Sequence, residues 1–84
     1  MLATSTETRV RKIIAEHLGH FDKGSLTPRE FEWTDTLESM GADSLDIIEL
    51  LMAIEEEFGA DVTDEQADEW RTAGDVLKTV EALL

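Results

Sequence analysis

Eighty-four residues make one domain, 1–84, and burying about 60–65% of the unfolded surface leaves too little interior for a deep enclosed active site. Twenty acidic against seven basic residues give a net charge of −13, which repels nucleic acid and anionic membrane surfaces and attracts basic protein surfaces. There is no cysteine, which excludes a disulfide frame, a thiolate nucleophile and a Cys-ligated metal, so any thiol chemistry must come from a cofactor.

No apolar run suits a secretion signal or a membrane span, so the expected compartment is the cytoplasm. Thr4-Ser5-Thr6-Glu7 fits a Thr-x-x-Glu capping box. Val10, Ile13, Ile14, Leu18 and Phe21 then recur at helical spacing, which predicts a first helix from about Ser5 to Leu18, ending near Gly19. His17 lies beside that stripe, as a half-buried histidine at a helix end would.

The stretch 19–42 is a long connection for so small a domain. Thr27-Pro28-Arg29-Glu30 predicts a short helical turn near Pro28–Glu32, and Asp35 to Met40 a second turn stopped by Gly41. Leu26, Phe31, Trp33, Leu37 and Met40 are the side chains expected to pin the connection across the bundle.

Gly41-Ala42-Asp43-Ser44-Leu45 then leads into an apolar-periodic run ending at Phe58. Gly41 can take φ > 0, Asp43 is a good N-cap, and Ser44 falls in the first exposed turn of a helix. At roughly 100° per residue with Ile47 at 0°, Leu50, Leu51, Ile54 and Phe58 lie within about 60° and form a core stripe. Leu45, Ile48 and Met52 lie at about 100–160°, bordered by Glu49 and Glu56 at about 180–200°. This second stripe reads either as a second covered side or as an exposed recognition face ringed by carboxylates.

Thr63-Asp64-Glu65-Gln66 opens a short third helix ending near Trp70, with Val62, Ala67 and Trp70 closing the bundle. Thr72-Ala73-Gly74-Asp75 caps a last helix in which Ala73, Val76, Val80 and Leu83 share a face, with Leu77 and Leu84 at its edge. No stretch alternates convincingly with period 2. The expected fold is all-α: a four-helix bundle with a short third helix and a long connection between the first two.

The residues Gly41 to Leu45, Glu49-Leu50 and Glu55-Glu56-Glu57-Phe58 resemble the acyl carrier protein family, with weaker similarity from about Glu7 to the C-terminus. The resemblance implies that Ser44, flanked by Asp43 and Leu45, carries 4′-phosphopantetheine from coenzyme A, whose thiol holds an acyl group as a thioester. It implies partners as well: a phosphopantetheinyl transferase, and acyl synthases or acyltransferases with basic docking patches. Leu45, Ile48 and Met52 would be the apolar anchors of the docking face, surrounded by Asp43, Asp46, Glu49, Glu55 and Glu56. Ile54, Val62, Ala67 and Trp70 would line an acyl-chain cavity between the second and third helices. The protein is then a monomeric, non-catalytic carrier with no metal site and no catalytic residue.

Two departures bear on the pathway. The 19–42 connection is longer than in typical bacterial fatty-acid carriers, and Thr36 stands where those often have an aromatic. Ala42 leans toward acyl rather than aminoacyl cargo, leaving fatty acid, polyketide, lipid A and other acylation open. A serine hydrolase is disfavoured, because Ala42 interrupts the Gly-Asp-Ser-Leu pattern and no histidine follows His20 to act as base. No calcium-loop pattern occurs. A plain acidic interaction protein is the competing reading: it explains the two-faced helix, but not the sequence around Ser44.

Overall fold

A computed structural model describes residues 5–18 and 31–84. Among these residues there are four helices, α1 Thr6–Leu18, α2 Ser44–Phe58, α3 Asp64–Asp68 and α4 Ala73–Leu83, and no strand. The expectations for Thr4, Gly19, His20, Phe21, Leu26 and most of the Pro28–Glu32 turn lie outside the described residues.

Each helix starts where a short polar side chain replaces a missing backbone acceptor. At α1 it is Ser5, whose Oγ accepts from Thr8 N at 3.1 Å while its carbonyl accepts from Arg9 N at 3.0 Å. The Thr63–Gln66 and Thr72–Asp75 capping boxes form as expected. Asp43 caps α2 through a box not anticipated: its Oδ1 accepts from Asp46 N at 2.9 Å, and its own N–H donates to Asp46 Oδ2 at 3.1 Å.

The far end of α2 is closed by Gly59, at φ 63°, whose N–H donates to Glu55 O at 2.9 Å. No basic residue of α2 itself serves that end, and Arg9 of α1 does so instead. Its guanidinium donates to Glu57 Oε2 at 2.8 Å and to Glu57 O at 3.0 Å, and its Cζ lies 4.4 Å from the Phe58 ring centroid.

α1 packs against both α2 and α4. Val10, Ile14 and Leu18 of α1, Leu50 and Ile54 of α2, and Val76 and Val80 of α4 are sealed from solvent, each stabilising the fold by about 1.5–3 kcal/mol. Val62, Ala67 and Trp70 close the bundle from α3 and its flanks. Leu83, expected on the buried face of α4, is exposed, because it is the last residue of the helix and the cover given to Val76 and Val80 does not extend to it.

The segment 31–42 is held by more than its apolar side chains. Phe31, Leu37 and Met40 are buried and Trp33 packs against them. Arg11 donates to Phe31 O at 3.0 Å, with its Cζ 5.1 Å from the Phe31 ring centroid and 4.5 Å from that of Trp33. The backbone then zips onto the start of α4 through an isolated antiparallel bridge between Thr36 and Thr72, a contact too short to leave a period-2 signature. Leu37 N donates to Arg71 O at 2.8 Å, Ala73 N to Asp35 O at 3.0 Å and Gly74 N to Trp33 O at 2.8 Å. A β-carbon on Gly74 would meet Trp33 O at 3.1 Å, so the close approach favours glycine there. Gly41, at φ 88°, ends the turn and delivers the chain to Asp43.

Candidate functional site

Ser44 is the first residue of α2 and is exposed. Among the described residues nothing hydrogen-bonds its hydroxyl. Gly41 bends the chain, the Asp43–Asp46 box fixes the first turn, and Leu50 and Ile54 anchor the helix below, so a small polar side chain is presented from a rigid base.

Two clefts open beside Ser44. One, of about 430 Å³, is lined by Ser44, Ile47, Ile48, Leu51, Asp64, Ala67, Asp68 and Trp70. Its α2 members stand at i, i+3, i+4 and i+7, one strip of the helix that borders both the buried and the outward stripes. The other, of about 490 Å³, runs toward the 36–42 segment and adds Thr36, Leu37, Glu38, Ala42, Asp43 and Arg71 to Ser44, Ile47 and Trp70. Trp70 walls both clefts, and its indole is held by a 2.9 Å hydrogen bond from Nε1 to Thr79 Oγ1.

Of the four residues expected around an acyl chain, Ala67 and Trp70 line the cleft between α2 and α3. Ile54 and Val62 lie in the core instead, and their places are taken by Ile47, Ile48 and Leu51. The reason is position along α2 rather than phase: Ile54 shares a face with Ile47, at about 20° from it, but lies about two turns further along the helix and is fully buried, beyond the cleft that runs from Ser44 to Leu51.

The outward stripe is uncovered. Leu45, Ile48 and Met52 are 61%, 54% and 60% exposed, and Glu49 and Glu56 stand exposed beside them. Two of the expected acidic neighbours do not belong to that surface. Asp46 is buried, its carboxylate turned back to the Asp43 N–H. Glu55 is half-buried, and its Oε2 accepts from Val62 N at 2.8 Å, tying α2 to the strand of chain that enters α3.

No described histidine lines either cleft at Ser44. His17 faces a recess formed with Glu49, Met52, Ala53 and Glu56, on the outward side of α2. Asp75, at the start of α4, has its carboxyl held below the usual carboxylate range by hydrogen bonds from Arg71 N and Thr72 N, reinforced by the nearby Lys78 charge. No described helix is long and apolar enough to cross a membrane.

A small bundle that presents Ser44 on the capped first turn of an acidic helix, between two open clefts, has the form of a carrier: a protein that holds a group for others to act on. The comparisons agree. The chain belongs to the acyl carrier protein family, since the family model described as "Phosphopantetheine attachment site" matches residues 8–80. Among solved structures it is similar to an acyl carrier protein from Thermotoga maritima, with 27% identity over 88% of each chain and a TM-score of 0.68. The cofactor is therefore 4′-phosphopantetheine, held covalently, and membership implies a phosphopantetheinyl transferase and acyl-transfer enzymes as partners. The residues present fit that group: the Ser44 hydroxyl is exposed and, among the described residues, makes no competing bond, and clefts of about 430 and 490 Å³ open beside it.

Proposed function

We propose that Ser44 is the attachment residue, and that a single carrier domain over residues 1–84 presents acyl intermediates to fatty-acid, polyketide or related acyl-transfer enzymes. The observation that carries this is the exposed Ser44 hydroxyl on the first turn of a helix fixed by the Asp43–Asp46 box. The arm supplies, when bound, the thiol that this cysteine-free chain lacks. The residues around it position and present: Asp43 and Leu45 flank the hydroxyl where a transferase must grip, and Ile47, Ile48, Leu51, Ala67 and Trp70 offer an apolar wall to cargo.

Leu45, Ile48 and Met52 form the docking face, with Asp43, Glu49 and Glu56 as its acidic surround. Partners with basic patches are drawn in by long-range attraction, while each exposed carboxylate adds little affinity alone. Contact of that kind is weak and fast. Tethering makes it sufficient, because the arm raises the local concentration of cargo at whichever enzyme is docked. The carrier works as a cytoplasmic monomer, and its net charge of −13 keeps it off nucleic acid and anionic membranes.

The test is a mass measurement after incubation with a phosphopantetheinyl transferase, Mg²⁺ and coenzyme A. The wild-type chain should gain the mass of one phosphopantetheine group and Ser44→Ala none. A gain that survives Ser44→Ala would place the arm elsewhere, and no gain in the wild type would favour a plain interaction protein.

A further inference from the structure

Arg71 is fixed by its backbone and open at its side chain. Its N–H donates to Asp75 Oδ2 at 2.9 Å and its carbonyl accepts from Leu37 N at 2.8 Å, so α4 on one side and the 36–42 segment on the other hold its main chain. The side chain is exposed and makes no ion pair or hydrogen bond with a described residue. The other described arginines are engaged: Arg9 with Glu57 and Phe58, Arg11 with Phe31 and Trp33.

The two clefts at Ser44 differ in charge. The cleft toward α3 carries the carboxylates of Asp64 and Asp68 and no cation. The cleft toward the 36–42 segment carries those of Glu38 and Asp43 but also Arg71, the one basic residue among the described residues that lines either opening. An anion joined to the Ser44 hydroxyl meets uncompensated negative charge on one side and a guanidinium on the other. In a chain with 20 acidic and 7 basic residues, that guanidinium is what distinguishes the two clefts, and screening within about 8 Å at physiological salt limits its influence to groups in the same cleft.

We propose that Arg71 is a positioning residue for the prosthetic arm, its guanidinium pairing with the non-bridging oxygens of the phosphodiester in the cleft shared with Ser44 and Trp70. The inference rests on Ser44 as attachment residue and adds a direction to it. A phosphodiester offers two acceptor oxygens and one negative charge, which the planar fork of a guanidinium matches better than an ammonium does. With the phosphate turned toward Arg71, the rest of the arm leaves across Ile47 and Trp70, which with Ser44 line both clefts, and its thiol end reaches the wall of Ile48 and Leu51. The acidic cleft is thus kept for cargo and the basic one for the phosphate. Because the pair is exposed, the bias it gives to the arm is roughly two- to fivefold.

The test compares the apo and holo forms of ¹⁵N-labelled full-length protein, with mass measurement first confirming one arm, absent from Ser44→Ala. In the holo form the cargo is a free thiol, so the phosphodiester is the only anion added. The Arg71 Nε–Hε resonance should shift between apo and holo, those of Arg9 and Arg11 should stay in place, and added salt should reduce the shift. The ³¹P resonance should move in Arg71→Gln, and by less in Arg71→Lys. Since main-chain atoms hold Arg71, the Leu37 and Asp75 amide resonances should be retained in both variants. An Arg71 signal that is the same in apo and holo protein, or a ³¹P signal indifferent to Arg71→Gln, overturns the proposal while leaving Ser44 intact. A mass gain that survives Ser44→Ala overturns the attachment reading, and this one with it.

Discussion

Two apolar stripes run along α2, alike in composition and opposite in fate. Leu50 and Ile54 are sealed against α1, whereas Leu45, Ile48 and Met52, a fraction of a turn away, stand in solvent. Side-chain chemistry does not separate them, since either set would gain about 1.5–3 kcal/mol per residue on burial. Phase separates them: α1 lies over one strip, the capped turn orients the helix, and the remaining strip has no described element over it. The difference teaches that an apolar face left open costs the fold nothing it has not already met elsewhere, while keeping the same free energy available to a partner.

The sharpest way to break the comparison is to truncate both stripes alike. Leu50→Ala and Ile54→Ala should each cost about 2–5 kcal/mol, a large share of the roughly 4–13 kcal/mol available to a domain of this length. Denaturant melts would read this directly, and a cost under about 1 kcal/mol would mean the inner stripe is not core.

A middle-sized effect belongs to the cap of α4, the helix whose Val76 and Val80 share the core with the inner stripe. Asp75→Ala removes the acceptor for Arg71 N and Thr72 N and should lower stability by about 1–2 kcal/mol, with partner binding unchanged. The pH dependence follows from linkage. The Asp75 pKa is lowered in the folded chain, so the unfolded chain binds more protons in acid, and the contribution is whole above the ordinary carboxylate range and lost as pH falls through the lowered folded value. The wild type and Asp75→Ala should therefore converge in acid melts. A gap that widens as pH falls would contradict the assignment.

The smallest effect on folding belongs to the outer stripe. Ile48→Ala and Met52→Ala should change stability by no more than about 0.5 kcal/mol, yet weaken binding to the transferase in titrations of the apo protein. If Ile48→Ala melts like Leu50→Ala, the two stripes are one core.

What was legible in the sequence was local. Thr63 and Thr72 cap their helices because box and helix lie within four residues of each other, and the Ile47 to Phe58 stripe follows from helical period alone. Asp46 and Glu55 looked like surface charge, because nothing in composition says that a carboxylate will find the Asp43 or Val62 amide. Cleft membership was misplaced for Ile54 and Val62 because it depends on where α3 lies relative to α2, a long-range fact. Ile47, Ile48 and Leu51 could have been found by counting i+3, i+4 and i+7 from Ser44. Arg71 could not, since the cleft that gives it meaning is made by a bridge between residues 36 and 72.

That bridge also sets a clock within the molecule. The leading amides of a helix ordinarily trade their hydrogens with solvent freely, having no intrahelical acceptor. In α4 the amides of Ala73 and Gly74 are instead held by Asp35 O and Trp33 O, so their deuterium uptake is governed by release of the 33–37 segment rather than by the helix. Two adjacent amides, far in sequence from that segment, thereby time its opening, and with it the outer wall of the cleft beside Ser44.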